Sequence, residues 1–156
     1  MPNAFSTGVL SITLSACLAG GVHAADSPKG DVRSEIEAML TSVDRLVKSR
    51  APVDEIAEAF YDPELLITGE GEKGLYRSRA EFMKPLESFV ANGANCMLKI
   101  VAPVRHSGNL AAAFVAEHCK GADAKSPDTD ARILYVFKKG VNGWRVTMEM
   151  YGGGGL

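Results

Sequence analysis

Apolar residues recur every three to four positions over residues 31–49, which predicts an amphipathic helix with one buried face. Asp31 can accept hydrogen bonds from the free amide groups of the first turn, and Pro52 ends the helix. A second apolar face predicts a short helix that Asp62-Pro63 terminates. The apolar positions are Val32, Ile36, Met39, Leu40, Val43, Leu46 and Val47 in the first helix, then Val53, Ile56, Ala57 and Phe60 in the second.

Residues 65–77 predict a short strand (65–68), a turn (69–74) and a returning extended segment (75–77). The sequence of the turn matches the pattern G-x-G-x-x-G of dinucleotide-binding sites. Such a site needs a helix that begins at the glycines, whereas an extended segment follows here, so the pattern indicates a hairpin turn. Ser78 and Glu81 form a capping box, so a third helix is expected to begin there. Pro85 lies inside this helix and is expected to kink it or divide it.

From Cys96 onward the hydrophobic period changes to two, which is typical of strands with one buried face. Four strands are predicted, over residues 96–104, 110–119, 131–139 and 144–151, with hairpin turns at 106–109 and 141–143. The Asn142-Gly143 pair favours a type I′ turn. Helices that precede strands in this way indicate an α+β fold, in which a curved antiparallel sheet wraps around the N-terminal helices.

Charge and composition narrow the class of protein further. The chain has 156 residues, 17 Lys and Arg against 19 Asp and Glu, and a formal net charge of −2. The length indicates one folded domain, and the scattered basic residues argue against a nucleic-acid partner. After the first two dozen residues no apolar run is long enough to span a bilayer.

Residues 1–24 are typical of a secretory signal peptide, with an apolar stretch and a small-residue cleavage site after Ala24. Its first residues lack Lys and Arg, and Cys17 lies in a sequence that resembles a bacterial lipoprotein box. We therefore expect a periplasmic or secreted protein, with a lipoprotein anchored at Cys17 as the alternative. The expected organisation is a signal peptide (1–24), a linker (25–30), one domain (31–151) and a flexible Gly-rich tail (152–156).

Removal of the leader leaves Cys96 and Cys119 as the two cysteines of the mature chain. A hairpin centred between Ser107 and Gly108 places them directly opposite each other, where the separation of their Cβ atoms suits a disulfide. An oxidising compartment would allow the bond to form. The sequence therefore predicts a structural disulfide, with two free buried thiols as the alternative.

The order of elements resembles the nuclear transport factor 2-like superfamily. Three motifs carry the resemblance: Phe60-Tyr61-Asp62 at the end of the second helix, residues 74–82 at the start of the third, and residues 142–146 in the last hairpin. The superfamily includes steroid isomerases and SnoaL-like polyketide cyclases. The resemblance implies a cone-shaped fold with an apolar pocket open at one end, and often a dimer through the outer face of the sheet.

The resemblance to steroid isomerases also implies positions for catalytic groups. The general base falls at or beside Thr68, the first oxyanion donor near Asp44, and the second at Tyr135. Only Tyr135 is a suitable donor, and threonine cannot act as the base. If Glu117 faces the pocket, burial would raise its pKa and make it a relocated base; otherwise it lies on the outer face.

The remaining expectations concern the pocket wall and metal binding. An Asn142-Gly143 turn would pair Tyr135 with Met150, which directs Glu149 outward or to a dimer contact. Glu117-His118-Cys119 resembles a metal cluster, but alternate residues of a strand point to opposite faces, so we expect no metal site and no cofactor. The expected wall residues are Phe60, Tyr76, Trp144, Met148 and Met150.

Three functions follow as hypotheses. The first is a secreted or periplasmic protein that binds a small apolar molecule. The second is an isomerase or cyclase that uses Tyr135 as donor and Glu117 as base. The third is a dimeric interaction module whose outer sheet face binds a protein. The direction of Glu117 and Tyr135 distinguishes them, since an enzyme needs both in one cavity.

Overall fold

A computed structural model describes residues 31–92, 96–121 and 127–154. The predicted leader (1–24), with Cys17, and the linker (25–30) lie outside these ranges. The helices are α1 (Val32–Lys48), α2 (Val53–Phe60) and α3 (Arg79–Asn92). The strands are β1 (Tyr61–Gly69), β2 (Cys96–Ile100), β3 (Arg105–Ser107), β4 (Leu110–Cys119), β5 (Thr129–Gly140) and β6 (Gly143–Gly153).

The first helix forms as the sequence predicts. The Asp31 carboxylate accepts a hydrogen bond from the Arg33 backbone N–H (3.2 Å), which caps the first turn. Ile36, Leu40 and Val43 are buried on the face that the 3.6-residue period defines. This face packs α1 onto the rest of the domain.

The capping box at the start of α3 is present, with one shift. The Ser78 hydroxyl accepts from the Glu81 backbone N–H (3.2 Å), and the Glu81 carboxylate accepts from the backbone N–H of Arg77 (2.7 Å). Pro85 lies inside α3. The helix is continuous over Arg79–Asn92, so of the two expected effects of Pro85, a kink or a division, the division does not occur.

The six strands form one open sheet in the order β1-β6-β5-β4-β2, with β3 also paired to β4. The sheet is mixed, because β1 runs parallel to β6 while the other pairs are antiparallel. The predicted α+β fold with a curved antiparallel sheet is therefore present, with one parallel pair added at its edge. The long connection from β1 to β6, which contains α3 and the meander, allows a parallel pair that no hairpin could make.

Two strand boundaries differ from those predicted. The segment 96–104 is divided into β2 and β3, and residues 101–104 lie between them. At the other end, β6 continues through Gly153, since Gly152 and Gly153 pair with Arg132 and Ala131. These two glycines therefore belong to the sheet rather than to the flexible tail we expected.

The last hairpin does not have the predicted type I′ turn. Gly140 pairs with Gly143, so the loop is Val141-Asn142, one residue earlier than expected. Gly143 has a positive φ of 93°, whereas Asn142 does not. A type I′ turn needs a positive φ at both central residues, so the glycine instead takes the left-handed position that follows the turn.

The core lies between the helices and the inner face of the sheet, where Ile56, Leu65, Ile67, Val115 and Phe137 are almost completely buried. No helix among the described residues is long and apolar enough to span a membrane.

Candidate functional site

A cavity of about 620 Å³ lies between the three helices and the inner face of the sheet. Its wall is mostly apolar, and the helices and strands both contribute to it. The apolar wall residues include Val43, Val47, Ile56, Phe60, Phe82, Leu86, Phe89, Val90, Leu98, Ala131 and Ile133. A volume of this size suits a small organic molecule.

Four polar side chains enter the cavity from one region of the wall. Tyr61 comes from the start of β1, Glu117 from β4, Tyr135 from β5 and Glu149 from β6. Tyr135 and Glu149 are directly opposite each other in the β5–β6 ladder. Side chains of such pairs share one face and have neighbouring Cβ atoms.

Glu149 is the most deeply buried carboxylate among the described residues, with 7% of its surface exposed. The Tyr61 hydroxyl donates a hydrogen bond to its Oε2 atom (3.0 Å). The pKa of Glu149 is raised to about 7. Burial is the largest cause, the hydrogen bond from Tyr61 acts in the opposite direction, and the nearby Glu117 carboxylate adds a smaller increase. A carboxyl group with this pKa can both accept and release a proton near neutral pH.

Tyr135 presents a free hydroxyl to the cavity. The residue is only 3% exposed, yet its hydroxyl makes no hydrogen bond within the described part of the chain. Burial, together with the carboxylates of Glu149 and Glu117, raises the pKa of Tyr135 well above its ordinary value. Its hydroxyl therefore keeps its proton at neutral pH and can donate it in a hydrogen bond to a ligand.

Glu117 faces the cavity. Of the two orientations that the sequence allowed, toward the pocket or toward the outer face, the first is present. Burial raises the pKa of Glu117. Its neighbour His118 points to the other face, where it contacts the Asp130 carboxylate (2.8 Å). The alternation predicted for Glu117, His118 and Cys119 is thus present in β4.

Cys96 and Cys119 form the predicted disulfide, with a sulfur–sulfur distance of 2.03 Å, and both line the cavity. They are directly paired in the β2–β4 ladder. The predicted turn position was wrong, however, because Ser107 pairs with Leu110 and the tight turn is Gly108-Asn109. The extra residues between β2 and β3 compensate for this shift, so the cysteines still face each other.

A bulge at Thr147 explains why the expectations for β6 fail. Phe137 pairs with Val146, whereas the preceding residue Val136 pairs with Met148, so Thr147 has no partner on β5. One extra residue reverses which side chains face inward from that point on. Met148 and Met150 are therefore on the outer face, 41% and 54% exposed, and Glu149 and Tyr151 face the cavity. The expectation that Glu149 points outward is therefore also wrong, because the bulge turns its side chain toward the cavity.

The other expected wall residues are distributed differently. Phe60 lines the cavity. Tyr76 is outside its wall, where its ring packs against Phe82 and its hydroxyl donates to Glu72 (3.1 Å). Trp144 is buried but also lies outside the wall, since its indole N–H donates to the Glu35 carboxylate (2.7 Å). It is a core residue held by α1 rather than a ligand contact.

The potential metal ligands beside the disulfide do not form a ligand set. Among the described residues, one group of three such side chains lies close together, namely Cys96, Glu117 and Cys119. Because both sulfur atoms are in the disulfide, neither is a thiolate, and only the Glu117 carboxylate could ligate an ion.

All charged side chains in the described wall of the cavity are acidic. Asp44, Glu72, Glu117 and Glu149 contribute carboxylates, and the described wall residues include no Lys, Arg or His. Asp44 is paired with Lys48 on α1 (2.8 Å), and Glu72 accepts hydrogen bonds from Tyr76 and Tyr151. Glu117 and Glu149 have no cationic partner in the described part of the chain.

Solved structures with the same arrangement of elements identify the fold. A nuclear transport factor 2-like superfamily protein from Salmonella enterica aligns with a TM-score of 0.59 at 20% identity, over 80% of this chain and 92% of that one. A protein from Novosphingobium aromaticivorans, described as nuclear transport factor 2-like with a cystatin-like fold, gives 0.60 at 16% identity, over 77% and 80%. This chain has the nuclear transport factor 2-like fold.

A further structure with this fold is a ketosteroid isomerase-like protein from Erwinia carotovora atroseptica, which aligns with a TM-score of 0.58 at 16% identity, over 78% of this chain and 92% of that one. No protein-family model matches the sequence, and no curated protein matches it significantly. The likeness therefore establishes the nuclear transport factor 2-like fold, and the site must be interpreted from its own residues.

The resemblance to steroid isomerases implied three catalytic positions, and two of the three line the cavity of this nuclear transport factor 2-like fold. Tyr135 and Asp44 line the cavity. Thr68 does not, and its hydroxyl donates to the Gly74 carbonyl (3.1 Å). The carboxylates at the polar end of this cavity, Glu117 and Glu149, are instead on β4 and β6. Sequence reasoning singled out Glu149 as a carboxylate in an apolar strand but assigned it to the wrong face, because nothing in residues 144–151 signals the bulge.

Proposed function

We propose that this protein binds a small, mainly apolar molecule in the cavity between its helices and its sheet. The observation that carries the proposal is the cavity itself, which has about 620 Å³ of space, a largely apolar wall and a few convergent polar groups. The apolar wall supplies affinity through burial of the ligand surface. Tyr135 and Glu149 supply orientation at one end.

Native mass spectrometry of protein purified from its own host tests this function, because it detects a ligand that remains bound. Ala131 lines the cavity, so Ala131→Trp should fill part of the space and abolish retention. Ala116, on the outer side of β4, offers the matched control Ala116→Trp. Retention by the control and loss in the cavity variant support the proposal; equal retention in both variants contradicts it.

A second candidate is a proton-transfer enzyme of the isomerase or cyclase type. Two observations on Glu149 favour it. Its pKa is about 7, and it is paired with Tyr135 in the β5–β6 ladder. Glu149 would remove a proton from the carbon next to a carbonyl group, and Tyr135 would donate a hydrogen bond to the enolate oxygen that results. In this scheme Glu149 replaces Glu117 as the preferred base.

Deuterium exchange into a cyclic ketone such as 2-tetralone, followed by NMR in D₂O, tests this chemistry. The enzyme hypothesis predicts exchange above the buffer rate that Glu149→Gln abolishes. Glu117→Gln is expected to reduce the rate less, since Glu117 is not paired with Tyr135 in the sheet. Exchange that survives Glu149→Gln but not Glu117→Gln would instead favour the original assignment of Glu117.

We also propose that the protein works outside the cytoplasm as a homodimer. The leader-like segment and the disulfide support an oxidising location, in the periplasm or beyond the cell. Exposed apolar side chains on the outer sheet face, including Phe114, Met148 and Met150, support self-association. Labelling with a palmitate analogue tests for a lipid anchor. A lipoprotein should take up the label in the wild type but not in Cys17→Ala, whereas a soluble exported protein should take up no label in either form.

A further inference from the structure

At the polar end of the cavity, some hydrogen-bond acceptors have no donor among the residues that the structure describes. The Tyr61 hydroxyl is the one hydrogen-bond donor to Glu149 in the described part of the chain, and it binds Oε2, which leaves Oε1 available. Directly across the ladder, the Tyr135 hydroxyl has no partner there, although the residue is 97% buried. A ligand that occupies this end would face a carboxylate oxygen and a phenol oxygen together.

When Glu149 is ionised, its charge has no cationic partner among the described residues of the wall. Burial of a carboxylate is costly unless a cation or several donors accompany it. Glu149 has one neutral donor, and the Glu117 carboxylate increases the negative potential around it. Since no described wall residue is basic, a cation that pairs with the ionised form of Glu149 must come from the ligand.

We propose that the ligand of this cavity is an apolar amine, whose ammonium group binds the Glu149 carboxylate and the Tyr135 hydroxyl oxygen while its hydrocarbon body fills the apolar wall. This inference rests on the proposed small-molecule function and specifies its ligand class. A primary ammonium has three N–H donors and no acceptor, which matches a site whose free groups can accept.

Ligands of other charge fit the cavity less well. A carboxylate or phosphate would approach Asp44, Glu72, Glu117 and Glu149 with no basic group to receive it. A neutral alcohol can donate only one hydrogen bond and leaves Glu149 without a counter-ion. The charge of the headgroup should therefore decide affinity among molecules of equal shape.

Isothermal titration calorimetry on the full, oxidised chain tests the proposal. The probes are benzyl, 2-naphthylmethyl and 1-adamantylmethyl compounds, each as the primary amine, the alcohol and the carboxylate. We expect the amine to bind about tenfold or more tightly than the alcohol of the same skeleton, because a hydrogen bond between two charged groups is stronger than one from a neutral hydroxyl. The carboxylate should bind most weakly.

Three variants localise the effect. Glu149→Gln keeps the shape of the side chain and should remove the preference for amine over alcohol, while Tyr135→Phe should reduce it several-fold. Glu58→Gln, the same change on the exposed face of α2, should leave the preference intact. Circular dichroism confirms that each variant is folded.

The outcomes separate this inference from the function on which it rests. Alcohols that bind as tightly as amines, or an amine preference that survives Glu149→Gln, overturn the amine inference but leave a small-molecule cavity in place. Absence of binding by every probe overturns the amine inference, and absence of any ligand retained from the host overturns the proposed function as well.

Discussion

A carboxyl group loses its hydration when it moves from water into an apolar wall, and Glu149 makes that move in the middle of β6. Tyr61 compensates with one hydrogen bond, but burial is the larger effect, and the pKa of Glu149 rises to about 7. In the unfolded chain the same group titrates near 4.5. Folding therefore favours the protonated form of this residue, with a consequence for stability that can be measured.

We predict that Glu149 makes the folded state less stable as pH rises. Because its pKa is raised on folding, its stabilising contribution is complete below pH 4.5 and is lost as pH increases through 7. Between pH 5 and pH 8 the loss should be about 2–3 kcal/mol in the free energy of unfolding, at 1.36 kcal/mol per pKa unit. Urea unfolding at the two pH values should show this decrease in wild type and in Glu58→Gln, but not in Glu149→Gln.

A second prediction concerns Gly69, where the Tyr151 ring lies in the space that a Cβ atom would occupy. Gly69→Ala should displace this ring and weaken its hydroxyl hydrogen bond to Glu72, at a cost of about 1–3 kcal/mol. Gly74→Ala is the matched control, since a Cβ atom there would contact nothing. Equal thermal unfolding temperatures for the two variants would contradict the packing described for Tyr151.

Among the elements, β6 decides the chemistry of the cavity. Its first inward residues, Trp144 and Val146, are buried core residues, and its later inward residues, Glu149 and Tyr151, line the cavity. The bulge at Thr147 makes this change possible. Without it the exposed Met148 and its neighbour Met150 would occupy the inner face.

The helices could be predicted because they depend on local periodicity. The cysteine pairing was predicted from a turn centred one residue too early, and it is correct because the extra residues between β2 and β3 compensate for that shift. The stripe of Ile36, Leu40 and Val43 defines the buried face of α1 directly. The inward face of β6 could not be predicted, because Met148 and Met150 continue the apolar alternation that begins at Trp144. A bulge is favoured by tertiary packing, and a single inserted residue reverses every later assignment.

The disulfide provides a prediction at the level of paired strands. Cys96 and Cys119 join the ends of β2 and β4 and close a loop with a sequence separation of 23. Replacement of both by serine should lower the free energy of unfolding by about 3 kcal/mol, through the greater freedom of the unfolded chain. Urea unfolding of the double variant and of reduced wild type should agree; an unchanged midpoint in both would show that the bond adds little stability.

For the whole molecule, the two faces of the sheet differ in what they contact. The inner face forms the cavity, and the outer face presents exposed apolar residues such as Phe114, Met148 and Met150. Phe114 pairs with Leu134, which in turn pairs with Met150, so part of this apolar surface is continuous across three strands. A second copy of the chain would remove it from water.

We predict that Phe114→Lys converts the proposed dimer to a monomer, because it puts a charge in the centre of the face that the dimer would bury. Val141→Lys, at the exposed tip of the last hairpin, makes the same chemical change away from that face and should leave the dimer intact. Sedimentation velocity measures both. A wild-type protein that sediments as a monomer at tens of micromolar would refute the dimer.

The most direct test of the site as a whole is a carbon-13 NMR titration of glutamate side-chain carboxyls, with Glu149→Gln used to assign the Glu149 signal. If β6 turns Glu149 into the apolar cavity beside Tyr135, that signal titrates near pH 7. A midpoint near the ordinary value of 4.5 would mean that Glu149 is exposed to water. The bulge at Thr147, the acid–base site and the proposed amine anchor would then all be contradicted.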